Sequence, residues 1–454
     1  MEFRGKRILV VGIARSGIAA VNSLTRRGAV LFACDQKTSD ELGDILLEME
    51  ALGVEVYAGS YPQVSKDRFD LLIASPGVPL DIEPFIQAHN TGVPVIGELE
   101  VAYLLKPDAV DFYAISGTNG KTTTVSLLQA ILAADGLRAL AGGNIGVPLT
   151  TLVDSMTEGV IVVEASSFQL ETTCHFRPHI SALINITPDH LDRHKSMEGY
   201  IKAKSRIFAC QNRDDYTVLN YEDMHIRKMA QECPARVIYF SSRQVLPEGA
   251  FIKDDLIYFV MDNKVLPICP VHEVSLRGRH NLENILCATA VAAIAGVKVE
   301  TIRDILKTFT GVRHRIEEVG LVDGVLYVND SKATNPESAI KALESFNEPI
   351  ILIAGGRSKG SSFEEFAGII KDKVKDLVLL GEAREEIRRV VMDAGFQNIH
   401  EVNDFNTAVA TACELAVAGD VVLLSPACAS WDMFKSYEQR GDLFCELVRA
   451  MHSG

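Results

Sequence analysis

The string Ser116-Gly117-Thr118-Asn119-Gly120-Lys121-Thr122-Thr123 admits few folds, because it follows an apolar run at 112–115 and opens a helical segment near Lys121. Small residues between a strand and a helix let backbone N–H groups close around phosphate oxygens, and the helix amino terminus adds partial positive charge. In such a loop Lys121 neutralises terminal phosphates and Thr122 offers a magnesium ligand. Ile115 stands where the general Walker pattern has its first glycine. The bland alternative is a glycine turn ahead of a surface lysine; the flanking strand and helix favour phosphate binding.

Around this motif the chain alternates short apolar strands with helical segments, the pattern of α/β domains. From Arg7 a strand, a glycine turn, a helix at about 18–27 and a strand at 30–34 ending at Asp35 make a βαβ start, and further strands at 71–74 and 94–97 complete a Rossmann-like domain, residues 1–98. Strands at 112–115, 160–163 and 180–186 and a helix at 281–295 place the phosphate loop in a central P-loop-type ATPase domain with a mostly parallel sheet, residues 99–311. Strands at 350–353, 376–380 and 421–424 predict a Rossmann-like carboxyl-terminal domain, residues 312–454. A chain of 454 residues also exceeds one core, at roughly 150 residues per domain.

Composition narrows the partners. Hydrophobic residues at 47% and charged residues at 23% are those of a soluble globular protein. The net charge of −15 disfavours nucleic acid and anionic membranes, so an anionic substrate must meet a locally positive pocket. Nine scattered cysteines without a CxxC pair indicate neither zinc nor disulfides and fit a reducing cytoplasm. The apolar run at 8–11 is too short for a signal peptide, and no stretch approaches the roughly twenty residues of an integral membrane segment.

Further candidates stand at strand ends. Glu164, after the strand at 160–163, supplies the oxygen that magnesium prefers, or else is a surface glutamate. His190, in Asn185-Ile186-Thr187-Pro188-Asp189-His190-Leu191-Asp192-Arg193-His194, is a metal ligand, a phosphate-orienting group or a hydrogen-bonded loop histidine. Residue chemistry alone does not single out Lys204 from its neighbours in a helical segment.

Taken together these strings, with Arg279-His280-Asn281-Leu282-Glu283-Asn284, His314-Arg315 and Asp330-Ser331-Lys332-Ala333-Thr334-Asn335-Pro336, resemble the Mur ligase family over essentially the whole chain. Gly12-Ile13-Ala14-Arg15-Ser16-Gly17 and Ser425-Pro426-Ala427-Cys428-Ala429-Ser430-Trp431-Asp432-Met433-Phe434, followed by Tyr437-Glu438-Gln439-Arg440-Gly441, look like the members that add D-glutamate to a UDP-linked muramoyl-alanine precursor. The resemblance implies that Arg15 and Ser16 meet the diphosphate, that Asp35, Gln36 and Lys37 lie near the uridine, and that Gly77, Asn144, Ser166 and His190 extend the precursor site. ATP is expected on Gly117, Thr118, Asn119, Gly120, Lys121, Thr122 and Thr123, with Asn284 near the adenine, Arg315 at the phosphates and Asp330 at the ribose. Two Mg2+ ions are implied, one on Thr122 and Glu164 and one near His190 and Lys204, the lysine being a carbamate. Lys332 is expected beside the reacting centre, and Thr334, Lys359, Ser430 and Tyr437 at D-glutamate.

The expected chemistry is attack of the precursor's L-alanyl carboxylate on the γ-phosphate of ATP, followed by attack of the D-glutamate amine on the acyl phosphate, with His314 a candidate base. Closure of the third domain is expected to assemble the site in a cytoplasmic monomer that makes a bacterial cell-wall precursor. Rivals are another amide ligase of the superfamily, such as a folylpolyglutamate synthase or a Mur ligase adding a different amino acid. An NAD-dependent dehydrogenase would use Gly12 to Gly17 and Asp35, but Ala14 breaks the G-x-G-x-x-G fingerprint and Gly117 to Thr123 would go unused. A nucleotide-regulated binding protein without catalysis has no need of Lys121, Glu164, His190 and Lys204 together.

Overall fold

The computed structural model describes residues 2–276, 278–358 and 360–451, without the side chains of Asp192, Arg279 and His280. Lys359, expected at the amino-acid site, lies outside the described residues. The chain divides into two compact units, Met1–Val274 with His280–Thr308, and Ser275–Arg279 with Phe309–Gly454.

In the first unit, strands β1 (Arg7–Val11), β2 (Val30–Asp35), β3 (Glu55–Ala58), β4 (Leu71–Ala74) and β5 (Val95–Gly97) form an all-parallel sheet in the order β3-β2-β1-β4-β5. Side chains alternate across a strand, so Ile8 and Val10 pack with Val21 and Leu24 on one face while Leu9 and Val11 pack with Phe69 and Phe85 on the other. Burial on both faces explains why the strands read as unbroken apolar runs. The first helix, Arg15–Thr25, starts earlier than expected because the preceding turn is very tight. Gly12 adopts φ +94°, its carbonyl accepts the Ser75 hydroxyl at 2.7 Å, and a Cβ on Gly17 would run into that same carbonyl oxygen.

The second sheet comprises β6 (Val110–Ser116), β7 (Ala139–Gly143), β8 (Gly159–Glu164), β9 (Ile180–Leu183), β10 (Tyr216–Asn220), β11 (Arg236–Ser241), β12 (Gly249–Lys253), β13 (Leu256–Met261) and β14 (Lys264–Pro270), in the order β14-β13-β12-β11-β10-β9-β6-β8-β7. It is parallel from β7 through β12, and the antiparallel β13 and β14 make it mixed. After β8 the chain crosses to the other side of β6 to form β9, so the carboxyl ends of β6, β8 and β9 flank a topological switch point, where α/β sheets bind ligands.

Bonds between the two domains of this unit include Arg27 and Ser23 to Asp154 at 2.7 and 3.1 Å, Arg26 to Asp154, and the Gly97 N–H to the Thr172 carbonyl at 3.1 Å. Glu98, pushed up by burial, accepts the Thr150 N–H and hydroxyl at 2.6 and 2.8 Å.

The second unit holds β15 (Glu317–Val322), β16 (Val325–Asn329), β17 (Ile350–Gly355), β18 (Val374–Leu380), β19 (Ile399–Glu401) and β20 (Val421–Leu424), ordered β15-β16-β20-β17-β18-β19 with only β15 antiparallel. Helices Pro336–Glu344 and Glu364–Lys373 bury Leu343 and Phe366 on one face, and Phe405–Leu415 and Tyr437–Met451 bury Val409 and Phe444 on the other.

Gly17→Ala forces either the helix or the Gly12 turn to move, because the obstructing atom is backbone. Overpacking of this kind costs about 1–3 kcal/mol. Urea denaturation followed by circular dichroism should show a loss in that range, with the cleft beside Gly12 perturbed as well.

Candidate functional site

The turn between β6 and the helix Lys121–Ala134 has Gly117 at φ +159° and Gly120 at φ +81°. Gly120 favours glycine on two counts: its left-handed conformation, and the Asn284 side-chain oxygen that a Cβ would displace. Asn284 is thereby placed against the phosphate loop, where it accepts the Thr124 hydroxyl at 3.4 Å and donates to Asn281 at 3.0 Å. Lys121 curls back, donating to the carbonyls of Gly117 and Thr118 at 2.9 and 2.8 Å.

A second layer comes from the segment after β9. The Thr118 and Asn119 N–H groups donate to the Asn185 backbone and side-chain oxygens at 2.9 and 2.8 Å, and the Thr187 N–H reaches the Thr118 hydroxyl at 3.0 Å. These contacts bring the strings around 118 and 187 into one site.

Glu164 ends β8 and is 2% exposed. Its carboxylate accepts the Thr122 hydroxyl at 2.8 Å through one oxygen and the Asn144 amide at 2.8 Å through the other. The expected magnesium pair, Thr122 and Glu164, is therefore in hydrogen-bond contact, with Asn144 of the expected precursor set on the same carboxylate. Among the described residues no group of three or more His, Cys, Asp and Glu side chains could hold a metal. Two protein oxygens at a phosphate loop fit Mg2+, which retains several waters and takes phosphate oxygens. Ser166 caps the short helix Ser167–Leu170 through the Gln169 N–H at 3.3 Å.

Lys204 lies on the helix Met197–Ser205, 1% exposed, with Nζ 2.8 Å from the Gly117 carbonyl, 3.3 Å from the Ser116 hydroxyl and 4.8 Å above the Tyr200 ring. Burial, and then the charge of Lys121, hold its amine well below the ordinary lysine value. His190 is left-handed at φ +53°, half exposed, 3.3 Å from Asp189 and packed on Phe168 with ring centroids 4.8 Å apart.

In the first domain, a cleft is lined by Gly12, Asp35, Gln36, Tyr61, Gly77 and Val78 among others. Asp35 accepts the Ile13 and Lys37 N–H groups at 2.7 and 3.0 Å. Arg15 and Ser16 begin the helix that follows the Gly12 turn, Arg15 exposed and Ser16 half-buried, while Lys37 is exposed.

The second unit gathers its own cluster. Asp330 is pushed up to about 7 by burial, against the opposing hydrogen bond from Ser425 at 2.8 Å and the charge of Arg315. His314, held below its ordinary value by burial, accepts the Asn329 amide N–H at Nδ1 at 3.0 Å. The Lys332 ammonium sits 5.5 Å over the Tyr437 ring, the Lys332 carbonyl accepts the Thr334 N–H at 2.8 Å, and Ser430 is 1% exposed. Trp431, immediately after it, is 60% exposed. Arg440 was assigned no role from sequence, yet it is 1% exposed and donates to the Ser331 hydroxyl and carbonyl at 2.9 and 2.8 Å and to the Cys428 carbonyl at 3.2 Å. Its place on a buried stripe with Phe444 and Val448, at four-residue spacing, is the signal that reveals it.

Three family profiles match in chain order: the Mur ligase MurD-like N-terminal domain over residues 6–97, the Mur ligase middle domain over 115–292, and the Mur ligase glutamate ligase domain over 314–428. The chain is similar to UDP-N-acetylmuramoylalanine--D-glutamate ligase of Pelotomaculum thermopropionicum, 46% identical with 100% of this chain and 99% of the relative covered. The enzyme of that name from Clostridioides difficile is 45% identical, with 99% of each chain covered. Among solved structures, UDP-N-acetylmuramate-alanine ligase of Thermotoga maritima shares the fold at TM-score 0.58 and 17% identity, covering 98% of this chain and 99% of that one.

Asp330 sets a pH dependence. Its folded value of about 7 exceeds the ordinary 3.8, so between these values the folded state keeps a proton that the unfolded state has lost. Stability therefore falls as pH rises from about 4 to 7, by an amount on the order of a few kcal/mol, and levels off above. Asp330→Asn should flatten that slope and gain stability relative to the parent at pH 8 over pH 5, as read by thermal melts across the range.

Proposed function

The chain belongs to the Mur ligase family, and from that premise we propose how it joins D-glutamate to UDP-N-acetylmuramoyl-L-alanine in peptidoglycan synthesis, with ATP and Mg2+ as cofactors. The observation that carries the mechanism is the convergence of Lys121, Thr122, Glu164 and Lys204 at the carboxyl edge of one sheet. The precursor carboxylate attacks the γ-phosphorus of ATP, ADP departs, and an acyl phosphate remains. The amine of D-glutamate then adds to the acyl carbon, and collapse of the tetrahedral intermediate releases inorganic phosphate and leaves the amide.

Each step draws on residues of this chain. The loop from Gly117 to Thr123 wraps the nucleotide phosphates, and Lys121 exchanges its two loop carbonyls for the terminal phosphates, offsetting negative charge where it develops. Thr122 and Glu164 would hold one Mg2+, which supplies charge neutralisation at the phosphates. Asn284, Arg315 and Asp330 are assigned to the nucleotide and Lys332 to the reacting carboxyl group. Arg15, Ser16, Asp35, Gln36, Lys37, Gly77, Asn144, Ser166 and His190 are assigned to the precursor, a reading supported by the first-domain cleft that Asp35, Gln36 and Gly77 line. Thr334, Lys359, Ser430 and Tyr437 are assigned to D-glutamate. His314, kept neutral by burial, is our candidate to take the ammonium proton.

We further assign Lys204 as a carbamate that, with His190, holds a second Mg2+. A neutral amine adds to CO2 and releases one proton, and burial biases Lys204 toward that neutral form. No helix among the described residues is long and apolar enough to cross a membrane, and we place the enzyme in the cytoplasm as a monomer.

Phosphate release assayed with UDP-N-acetylmuramoyl-L-alanine, ATP and a panel of amino acids should respond to D-glutamate and not to L-glutamate. Lys359→Ala should raise KM for D-glutamate by about 100-fold with KM for ATP nearly unchanged, since a carboxylate loses its charged partner. Ser430→Ala should act in the same direction by about tenfold or less. Selective weakening of ATP in either variant contradicts the amino-acid site. Lys204→Ala should lose most activity and regain part of it with added short carboxylic acids that restore the missing oxygens; Lys121→Ala should be inactive, folded and not rescued.

A further inference from the structure

Arg193 joins two places that the mechanism treats separately. It lies on the short helix Leu191–His194, directly after His190, with its side chain 15% exposed. Nη1 donates to the carbonyl of Val78 at 3.1 Å, and Val78 lines the first-domain cleft. Nε and Nη2 both donate to one oxygen of Glu171, at 3.3 and 3.0 Å, and the guanidinium carbon stands 4.6 Å over the Phe168 ring.

The link continues inward. The other Glu171 oxygen meets Nδ1 of buried His194 at 2.9 Å, and Nε2 of that histidine is 3.0 Å from the Ser167 hydroxyl. Phe168 lies between the rings of His190 and His194, with centroids at 4.8 and 5.6 Å. Ser167 and Phe168 belong to the segment that follows Glu164, so Arg193 touches the cleft wall at one end and braces the strand-end segments bearing Glu164 and His190 at the other. The domain-to-domain bonds of Arg26, Arg27 and Ser23 to Asp154 and of Gly97 to Thr172 involve no residue of the cleft.

We propose that Arg193 is a positioning residue that fixes the cleft wall against the catalytic edge of the central sheet, so that a precursor anchored by its nucleotide delivers its carboxyl end to the phosphate loop. This rests on the reading of the cleft as the UDP-precursor site. A ligand held at two ends gains from a fixed span between them, whereas a ligand held at one end does not. UDP alone should therefore be indifferent to Arg193, and the full precursor should not be.

The experiment is titration calorimetry of the full-length chain with UDP and with UDP-N-acetylmuramoyl-L-alanine, together with steady-state kinetics. Arg193→Met should bind UDP within about twofold of the parent, bind the precursor about tenfold more weakly, and lose kcat/KM for the precursor by at least that factor while KM for ATP and D-glutamate stays within about twofold. Arg193→Lys should recover part of the loss by keeping one donor to Val78. Adding Glu171→Gln to Arg193→Met should cost less than the two single losses combined, because the two share one link. Equal weakening of UDP and precursor, or an unchanged precursor KM, overturns the positioning role. Failure of the parent chain to bind UDP overturns the cleft reading itself and the inference with it. Should Arg193→Met not fold, Arg193→Lys and Glu171→Gln carry the same comparison.

Discussion

The hydrogen bonds between the turn after β6 and the segment after β9 hold the centre in one piece. A glycine-rich loop by itself is mobile, and phosphate binding demands several N–H groups aimed at once. Here Asn185 takes the N–H groups of Thr118 and Asn119, and the Thr118 hydroxyl accepts the Thr187 N–H and donates to the Thr187 carbonyl, so the loop is fixed against the segment after β9. Glu164 completes the arrangement from β8 by holding Thr122 and Asn144 on its two oxygens. The strand order makes this possible, since β6 lies between β8 and β9 and all three end at the same edge.

Among the described residues Lys204, Arg440, Asp330, Glu164 and Glu98 are buried without a hydrogen-bonded partner of opposite charge, the two glutamates being held by Thr122 and Asn144 and by Thr150. Lys204 has only a carbonyl and a hydroxyl, Arg440 has carbonyls and a hydroxyl, and Asp330 has a hydroxyl and an N–H. Burial pulls the first two down, Arg440 to about 10, and pushes Asp330 up to about 7. Fold stability alone does not favour unpaired buried ions. Such groups concentrate at functional sites, where substrate or modification supplies the missing charge.

Legibility in the sequence followed locality. Glu164, Lys121 and Thr122 could be placed together because parallel strands deliver their ends to one edge, a rule that needs no tertiary detail. The antiparallel β12 to β14 were not read from the sequence, although Asp254-Asp255 and Asp262-Asn263, all at positive φ, are the residue types of tight hairpin turns. Lys204 could not be distinguished by charge, because its distinction is burial; the stripe Tyr200, Lys204 and Phe208 at four-residue spacing carried that information. The Arg193 link was invisible for a different reason: its acceptor is a backbone carbonyl more than a hundred residues away, and a carbonyl leaves no mark in residue identity.

Trp431 adds a property of another kind. It is the single tryptophan in the chain, 60% exposed, and bonded in sequence to the buried Ser430. An indole emits according to the polarity around it, so the protein carries one tryptophan reporter beside the buried Ser430. A change in its emission colour or in its quenching by iodide then reports on that position alone, without a label and without background from other tryptophans.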